Sequence, residues 1–189
     1  MVIIKLIKEG CGIRSMARLL NISCSTILKR IVFIAKSISR PVISLNKSYE
    51  VDELRTYYKN KGRLLWIVYA LQKDTKNVID FVVGRRTKAT LQKVTNTLLL
   101  SNAGKIYTDK LNLYSYIIPA EIHCTKQYST NNIERRNLSL RTHLKRLNRK
   151  TICYSKSILL LTACLKIYFC SVPFNFRDDG IVKVSSANL

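Results

Sequence analysis

The sequence predicts a mixed α/β chain in which three short helices precede a sheet of both antiparallel and parallel strands. Three observations point that way. The first forty residues repeat apolar side chains at helical spacing with short connections between the repeats. After Arg40-Pro41 and a polar stretch to about Ser48, runs rich in β-formers take over. From Thr87 onward, helical and extended patterns alternate, as crossovers between parallel strands require.

Val2–Lys8 carries Ile3, Ile4, Leu6 and Ile7 in helical register and ends at Glu9-Gly10. A second helix fits Ile13–Leu20, with Ala17 small enough to let a neighbour approach, and Asn21-Ile22 makes a tight turn. Ser23 or Ser25 then caps a third helix to about Ala35. Two helices joined by so short a turn form a helix-turn-helix pattern, expected over residues 1–40 with a linker at 41–48. Tyr49–Leu54 reads as a short strand. Arg63–Leu71 (RLLWIVYAL) reads as a strand buried on both faces, and KDTKN turns it into Val78–Val83 (VIDFVV) as a hairpin. Thr87–Leu100 is a helix with Leu91, Val94 and Leu98 on one face. Lys105–Asp109 is a strand ending in a carboxylate, and Ile122–Cys124 another short strand. A long helix begins near Thr130, with Ile133, Asn137, Leu140, Leu144 and Leu147 along one side. A last apolar helix covers about Lys156–Phe169, and 171–189 is a tail. A sheet opened by antiparallel strands and completed by parallel ones through helices is the order of the ribonuclease H-like fold, expected here over 49–170.

The 189 residues include 33 Lys and Arg against 11 Asp and Glu, a net charge of +22. A surplus that large repels itself unless it meets a polyanion, and nucleic acid is the economical one. Hydrophobic residues make up 47%, with only six Gly and three Pro, which excludes a disordered or fibrous chain. The greasiest stretch lies between Lys156 and Lys166, too short to span a bilayer, so no membrane partner is expected. Six Cys without a C-x-x-C pair fit a reducing, cytoplasmic compartment better than a disulfide framework or a zinc site. On the third helix Ser25, Thr26, Lys29 and Arg30 face outward, where they can reach base edges and phosphates.

With so few acidic residues, their placement is informative. Asp52 lies in the first strand, Asp109 at the end of the fourth, and Glu134 at the start of the long helix. Ligand groups in open α/β sheets gather at the carboxyl ends of strands. Carboxylates converging there suit divalent cations, and two ions roughly 3.5–4 Å apart serve phosphodiester chemistry. Ordinary ion pairs with the abundant Lys and Arg are the alternative.

The segment IERRNLSLRTHLKRLNRKT (Ile133–Thr151), followed by Ser155-Lys156-Ser157, resembles the C-terminal signature of transposases of the insertion sequence one family. Glu50-Val51-Asp52-Glu53 resembles the segment bearing that family's first catalytic Asp. Thr108-Asp109 with Leu113-Tyr114 resembles the second, and Glu134 matches the third; 24 residues separate Asp109 from Glu134. The resemblance implies a DDE-type enzyme with a ribonuclease H-like core. Its catalytic and metal-binding residues would be Asp52, Asp109 and Glu134, with two Mg²⁺ ions (Mn²⁺ as substitute). It implies cleavage at element ends and strand transfer into target DNA, by a homodimer or higher assembly on double-stranded DNA in the nucleoid. Arg141, seven residues after Glu134, takes the place of a basic residue associated with the transposon end, and His143 belongs to the same motif. Arg135, Arg136, Arg141, Lys145, Arg146, Arg149 and Lys150 would form a basic face along the long helix. The sequence departs from the family at Leu54 or Arg55, where an aromatic is usual, and at Lys110-Leu111, where Gly-Trp is usual. It also lacks the C-x-x-C pairs of an N-terminal zinc ribbon. Three alternatives stand beside this reading: an inactive or truncated DNA-binding regulator of transposition, a nuclease that never joins strands, and a recombinase using Tyr154 or Tyr168 with Arg141 and His143.

Overall fold

The computed structural model describes residues 2–126 and 129–170; the expected tail lies outside them. Three helices come first, α1 (Val2–Lys8), α2 (Ile13–Leu20) and α3 (Cys24–Ser37). Asn21 closes α2 in the left-handed conformation (φ 49°), its N–H on the Ala17 and Arg18 carbonyls. Of the two candidate serines, Ser23 caps α3, its hydroxyl accepting the Thr26 N–H at 3.1 Å. Ile27, Ile31 and Ala35 recur every fourth residue on α3 and are buried against Ile7 and Met16.

The sheet follows. β1 (Ser48–Tyr58), β2 (Asn60–Gln72) and β3 (Val78–Gly84) are antiparallel neighbours. α4 (Lys88–Leu100) leads to β4 (Lys105–Tyr107), which pairs parallel with β1. α5 (Asn112–Ser115) leads to β5 (His123–Cys124), parallel to β4. The order β3-β2-β1-β4-β5 is the ribonuclease H-like arrangement. α6 (Asn131–His143), a 3₁₀ turn (Lys145–Leu147) and α7 (Ile158–Cys170) complete the chain. Strand alternation divides the core: Tyr49, Val51, Val68 and Ala70 meet α4 and the α5 region on one face, whereas Leu54, Ile67, Tyr69 and Leu71 meet α6 and α7 on the other.

α7 explains its own apolar composition. Leu161 and Leu165 pack under the sheet, while Ala163, Cys164 and Ile167 pack against α1–α3. A helix buried on two sides keeps only a narrow strip for polar side chains, here Thr162 and Lys166. The three leading helices therefore share a core with α7, across the polar stretch that follows α3.

Five elements differ from expectation. β1 runs to Tyr58 and turns through Lys59 (φ 62°) directly into β2, making a long hairpin whose polar tip hides it from a search for apolar runs. Residues 60–64 of β2 are exposed, so two-sided burial starts at Leu65. β4 stops at Tyr107, leaving Asp109 just beyond it, and α5 is too short to leave a periodic signal. The expected long helix ends at His143: Leu144 is extended (φ −102°, ψ 94°). Arg141 Nη1 donates to the Leu147 carbonyl at 2.9 Å, holding a tight turn that still buries Leu144 and Leu147. Gly10, at φ 70°, packs on this helix end so closely that a Cβ would collide with the His143 carbonyl. Among the described residues no helix is long and apolar enough to cross a membrane, and all six cysteines are free thiols.

Candidate active site

β1 carries Glu50, Asp52 and Glu53, and alternation sends them to different faces. Glu50 and Asp52 share the α6 side with Leu54, and Glu53 shares the other with Val51. Glu50 is wholly buried, and both its oxygens are used: Asn132 Nδ2 donates to one at 2.7 Å and the Ile133 N–H to the other at 2.8 Å. The Ile133 N–H is one of the first-turn donors a helix cannot satisfy internally. Glu50 thus fastens the start of α6 to β1.

Two residues along, the strand meets Asp109. The parallel register pairs Glu50 with Tyr107, and carrying it two residues further sets Asp52 beside Asp109. Carboxylate oxygens of Asp52, Glu53 and Asp109 all lie within 4.8 Å of one another. Asp52 accepts the Glu53 N–H at 2.7 Å and Asn137 Nδ2 at 2.6 Å. Asn137 Oδ1 in turn accepts the Tyr69 hydroxyl at 2.8 Å. Tyr69 is the residue opposite Asp52 in the β1–β2 ladder, so Tyr69, Asn137 and Asp52 form one column from β2 through α6 to β1. Asp109 caps its own loop by accepting the Leu111 N–H at 3.0 Å.

The cluster is electrostatically costly. Burial pushes the Asp52 carboxyl up to about 6, and the neighbouring charges of Glu53 and Asp109 add to the effect against its hydrogen bonds. Glu53 is raised as well, by burial first and by Asp109 further, although Arg86 pairs with its Oε2 at 3.1 Å. The Arg86 guanidinium also lies 4.6 Å from the Trp66 ring centroid. Glu53 Oε1 and the buried Tyr114 hydroxyl meet no partner in hydrogen-bonding geometry among the described residues, although Tyr114 is near enough to feel the carboxylate.

Glu134 stands in the first turn of α6, exposed, its carboxylate accepting the Thr130 hydroxyl at 2.9 Å. It is not among the three carboxylates that come within 4.8 Å of one another. It precedes Asn137 by three residues, roughly one turn, on the same side of the helix. Ser25, Thr26, Lys29 and Arg30 are exposed on α3, and Arg135, Arg136 and Arg141 lie on α6. Lys145 and Arg146 belong to the 3₁₀ turn, with Arg149 and Lys150 beyond it. The basic face expected along one helix is therefore two pieces set at the break after His143. His143 Nδ1 is hydrogen-bonded to the Tyr168 hydroxyl, and Tyr154 lies edge-on to Tyr57. Glu53, Asn137 and Arg86 escape sequence reasoning. The one available signal is three acids within four residues of a chain that has so few.

Comparison with known proteins decides the family. The family model described as IS1 transposase matches residues 45–172, more than half of the chain. The chain belongs to the IS1 transposase family. It is 38% identical over 109 residues to the insertion element iso-IS1n protein InsB of Shigella dysenteriae, a match covering 58% of this chain and 83% of that one. The IS1 InsB of Shigella flexneri is 37% identical over 111 residues, covering 59% and 85%. An IS1 InsB of Escherichia coli strain K12 is 38% identical over 109 residues, covering 58% and 65%. Among solved structures, the HTLV-2 integrase catalytic core domain in complex with magnesium aligns with a TM-score of 0.43 at 16% identity, over 68% of this chain and 86% of that one.

Proposed function

We propose that this IS1-family chain is a DNA transposase in which Asp52, Asp109 and Glu134 hold divalent cations while a phosphodiester at an element end is cut and the freed 3′-hydroxyl is joined to target DNA. The observation that carries the reading is the meeting of Asp52, within β1, and Asp109, just past the end of the parallel strand β4, in a chain that is otherwise strongly basic. The donor set suits Mg²⁺ or Mn²⁺: hard carboxylate oxygens, mutual repulsion without a counter-charge of equal size, and a buried Glu53 oxygen left over. Such cations, when bound, stabilise charge on the attacking and leaving oxygens of an in-line displacement.

The chain's own residues prepare that site. Asn137 holds Asp52 by one oxygen, and Tyr69 fixes which way the Asn137 amide points. Glu50 fastens α6 to β1, so that Glu134 stands about one turn from the Asn137–Asp52 contact. Arg86 draws Glu53 back on the opposite face of the strand. Ser25, Thr26, Lys29 and Arg30 on α3 would meet the element end, and the basic residues of α6 and the turn beyond it would hold the backbone near the carboxylates. No side chain of the protein bonds covalently to DNA in this reading. Two copies or more act together, because both element ends must be brought to one place.

Nicking and joining of a supercoiled plasmid tests the proposal. Wild type should give metal-dependent nicks and joined products, and Glu134→Gln, folded by circular dichroism, should fall about 10³-fold. Equal activity in the two would overturn the assignment of Glu134. Salt-sensitive DNA binding without activity in either would leave a DNA-binding regulator.

A further inference from the structure

Beyond the carboxylates, Arg55, Tyr57, Arg141, Asn148 and Arg149 line a cavity of about 360 Å³. Three guanidinium groups converge on it, and none of them forms a salt bridge among the described residues. Two are held by groups that leave their charge intact. Arg55 Nη2 donates to the Tyr57 hydroxyl at 2.6 Å, and Arg141 Nη1 to the Leu147 carbonyl. Burial and the charges of Arg149 and Arg55 disfavour the Arg141 cation, and Asp52 and Tyr57 offset them only in part. An anion rich in oxygen acceptors reverses that balance, and guanidinium forks match phosphate better than any other common anion.

We propose that this cavity seats a single backbone phosphate of the DNA strand being processed. The inference rests on the transposase reading and deepens it. Arg55 lies three residues past Asp52 on β1, about 10 Å along a strand. Arg141 lies seven residues past Glu134 on α6, also about 10 Å along the axis. Both elements that carry candidate metal ligands thus deliver an arginine to one place at one remove. At a rise of about 3.4 Å per nucleotide, the seated phosphate lies within about three nucleotides of the reacting one. The cavity would fix the strand's register on the carboxylates while leaving its sequence unread.

Salt dependence distinguishes one seat from three scattered contacts. A short duplex is titrated with the full chain at several salt concentrations, for wild type, Arg55→Gln, Arg149→Gln and the double variant. Because one phosphate releases its counterions once, the slope of log K against log salt should fall by about one in the double variant. Unchanged slopes overturn the cavity assignment, and so does a fall of about two, which means separate phosphates. A second arm leaves the protein intact: duplexes each carrying one neutral methylphosphonate are scanned. One position should weaken wild type and have no further effect on the double variant, the signature of direct coupling. No such position overturns the proposal. A third arm titrates inorganic phosphate alone. Saturation of the cavity at low millimolar phosphate, with duplex binding indifferent to both substitutions, assigns it to a free ion and overturns the DNA phosphate. A wild type whose duplex binding ignores salt sinks the transposase reading itself, whereas a steep wild-type slope retained in the variants sinks only the cavity.

Discussion

Glu50 and Glu53 stand three residues apart on one strand, both buried, and their surroundings are opposite in kind. Glu50 has each oxygen matched to a donor at the head of α6. Glu53 has one oxygen on Arg86, and the other faces the buried Tyr114 hydroxyl without a well-formed hydrogen bond among the described residues; it also crowds Asp52 and Asp109. A carboxylate buried to hold a structure together is saturated by that structure. One buried beside a binding site keeps spare valence and unrelieved repulsion, which a ligand can relieve. The arginines repeat the contrast: Arg86 is paired, whereas Arg55, Arg141 and Arg149 face a cavity and form no salt bridge among the described residues.

Removing the saturated carboxylate should therefore cost the most stability. Glu50→Leu leaves the buried Ile133 N–H and the half-buried Asn132 Nδ2 without acceptors, and two charge-assisted bonds at roughly 1.5–3 kcal/mol each predict a loss of about 3–6 kcal/mol. Glu50→Gln should lose less, because Asn132 can turn its amide to match. Urea midpoints order the two variants, and equal small losses in both would show that α6 does not depend on Glu50.

The opposite sign is expected two residues away. The folded-state pKa of Asp52, about 6, lies above its ordinary 3.8, so the folded chain retains a proton that the unfolded chain releases. Stability then falls as pH climbs from about 3.8 to about 6 and levels off above that. The full penalty is about 3 kcal/mol. Asp52→Asn escapes it. The variant should be more stable than wild type near pH 7, by up to that amount, and so melt higher, and the gap should close near pH 4. Added Mg²⁺ should raise the wild-type melting temperature and leave the variant's unchanged. A variant that melts no higher at neutral pH would show that the cluster carries no such strain.

Much of this architecture is legible in the sequence because local rules and burial agree. Ser23, Asn21 and the every-fourth-residue pattern of α3 mark a helix and its start. RLLWIVYAL and VIDFVV mark strands whose apolar faces are needed on both sides of the sheet. The hairpin tip at Tyr58-Lys59-Asn60 is not legible, since its pairing rests on backbone bonds rather than apolar alternation. The break after His143 is hidden for another reason: Leu144 and Leu147 are three apart, a spacing that an α-helix and a 3₁₀ turn serve alike. In the candidate site, scarcity and spacing single out Asp52, Asp109 and Glu134, and the fold brings the first two together. Asn137 and Tyr69 carry no such signal, and nothing local separates the role of Glu50 from those of Asp52 and Glu53 beside it. Their roles come from register across strands and from a helix laid over them, which no local pattern encodes.

The smallest expected effect tests that register most directly. Tyr69→Phe deletes one hydroxyl, whose bond to Asn137 is worth about 1 kcal/mol. The stability change should be of that size and no more. Its consequence for the site should be larger than its energy suggests. Freed from Tyr69, the Asn137 amide can rotate and present Oδ1 to Asp52, replacing attraction with repulsion at a 2.6 Å contact. Weaker Mg²⁺ affinity by calorimetry, together with a drop in nicking of about tenfold or less, would show that the column from β2 to Asp52 acts as a unit. Unchanged metal affinity in Tyr69→Phe, with a clear loss in Asn137→Leu, would end the column at Asn137 and leave Tyr69 as a packing residue of the core.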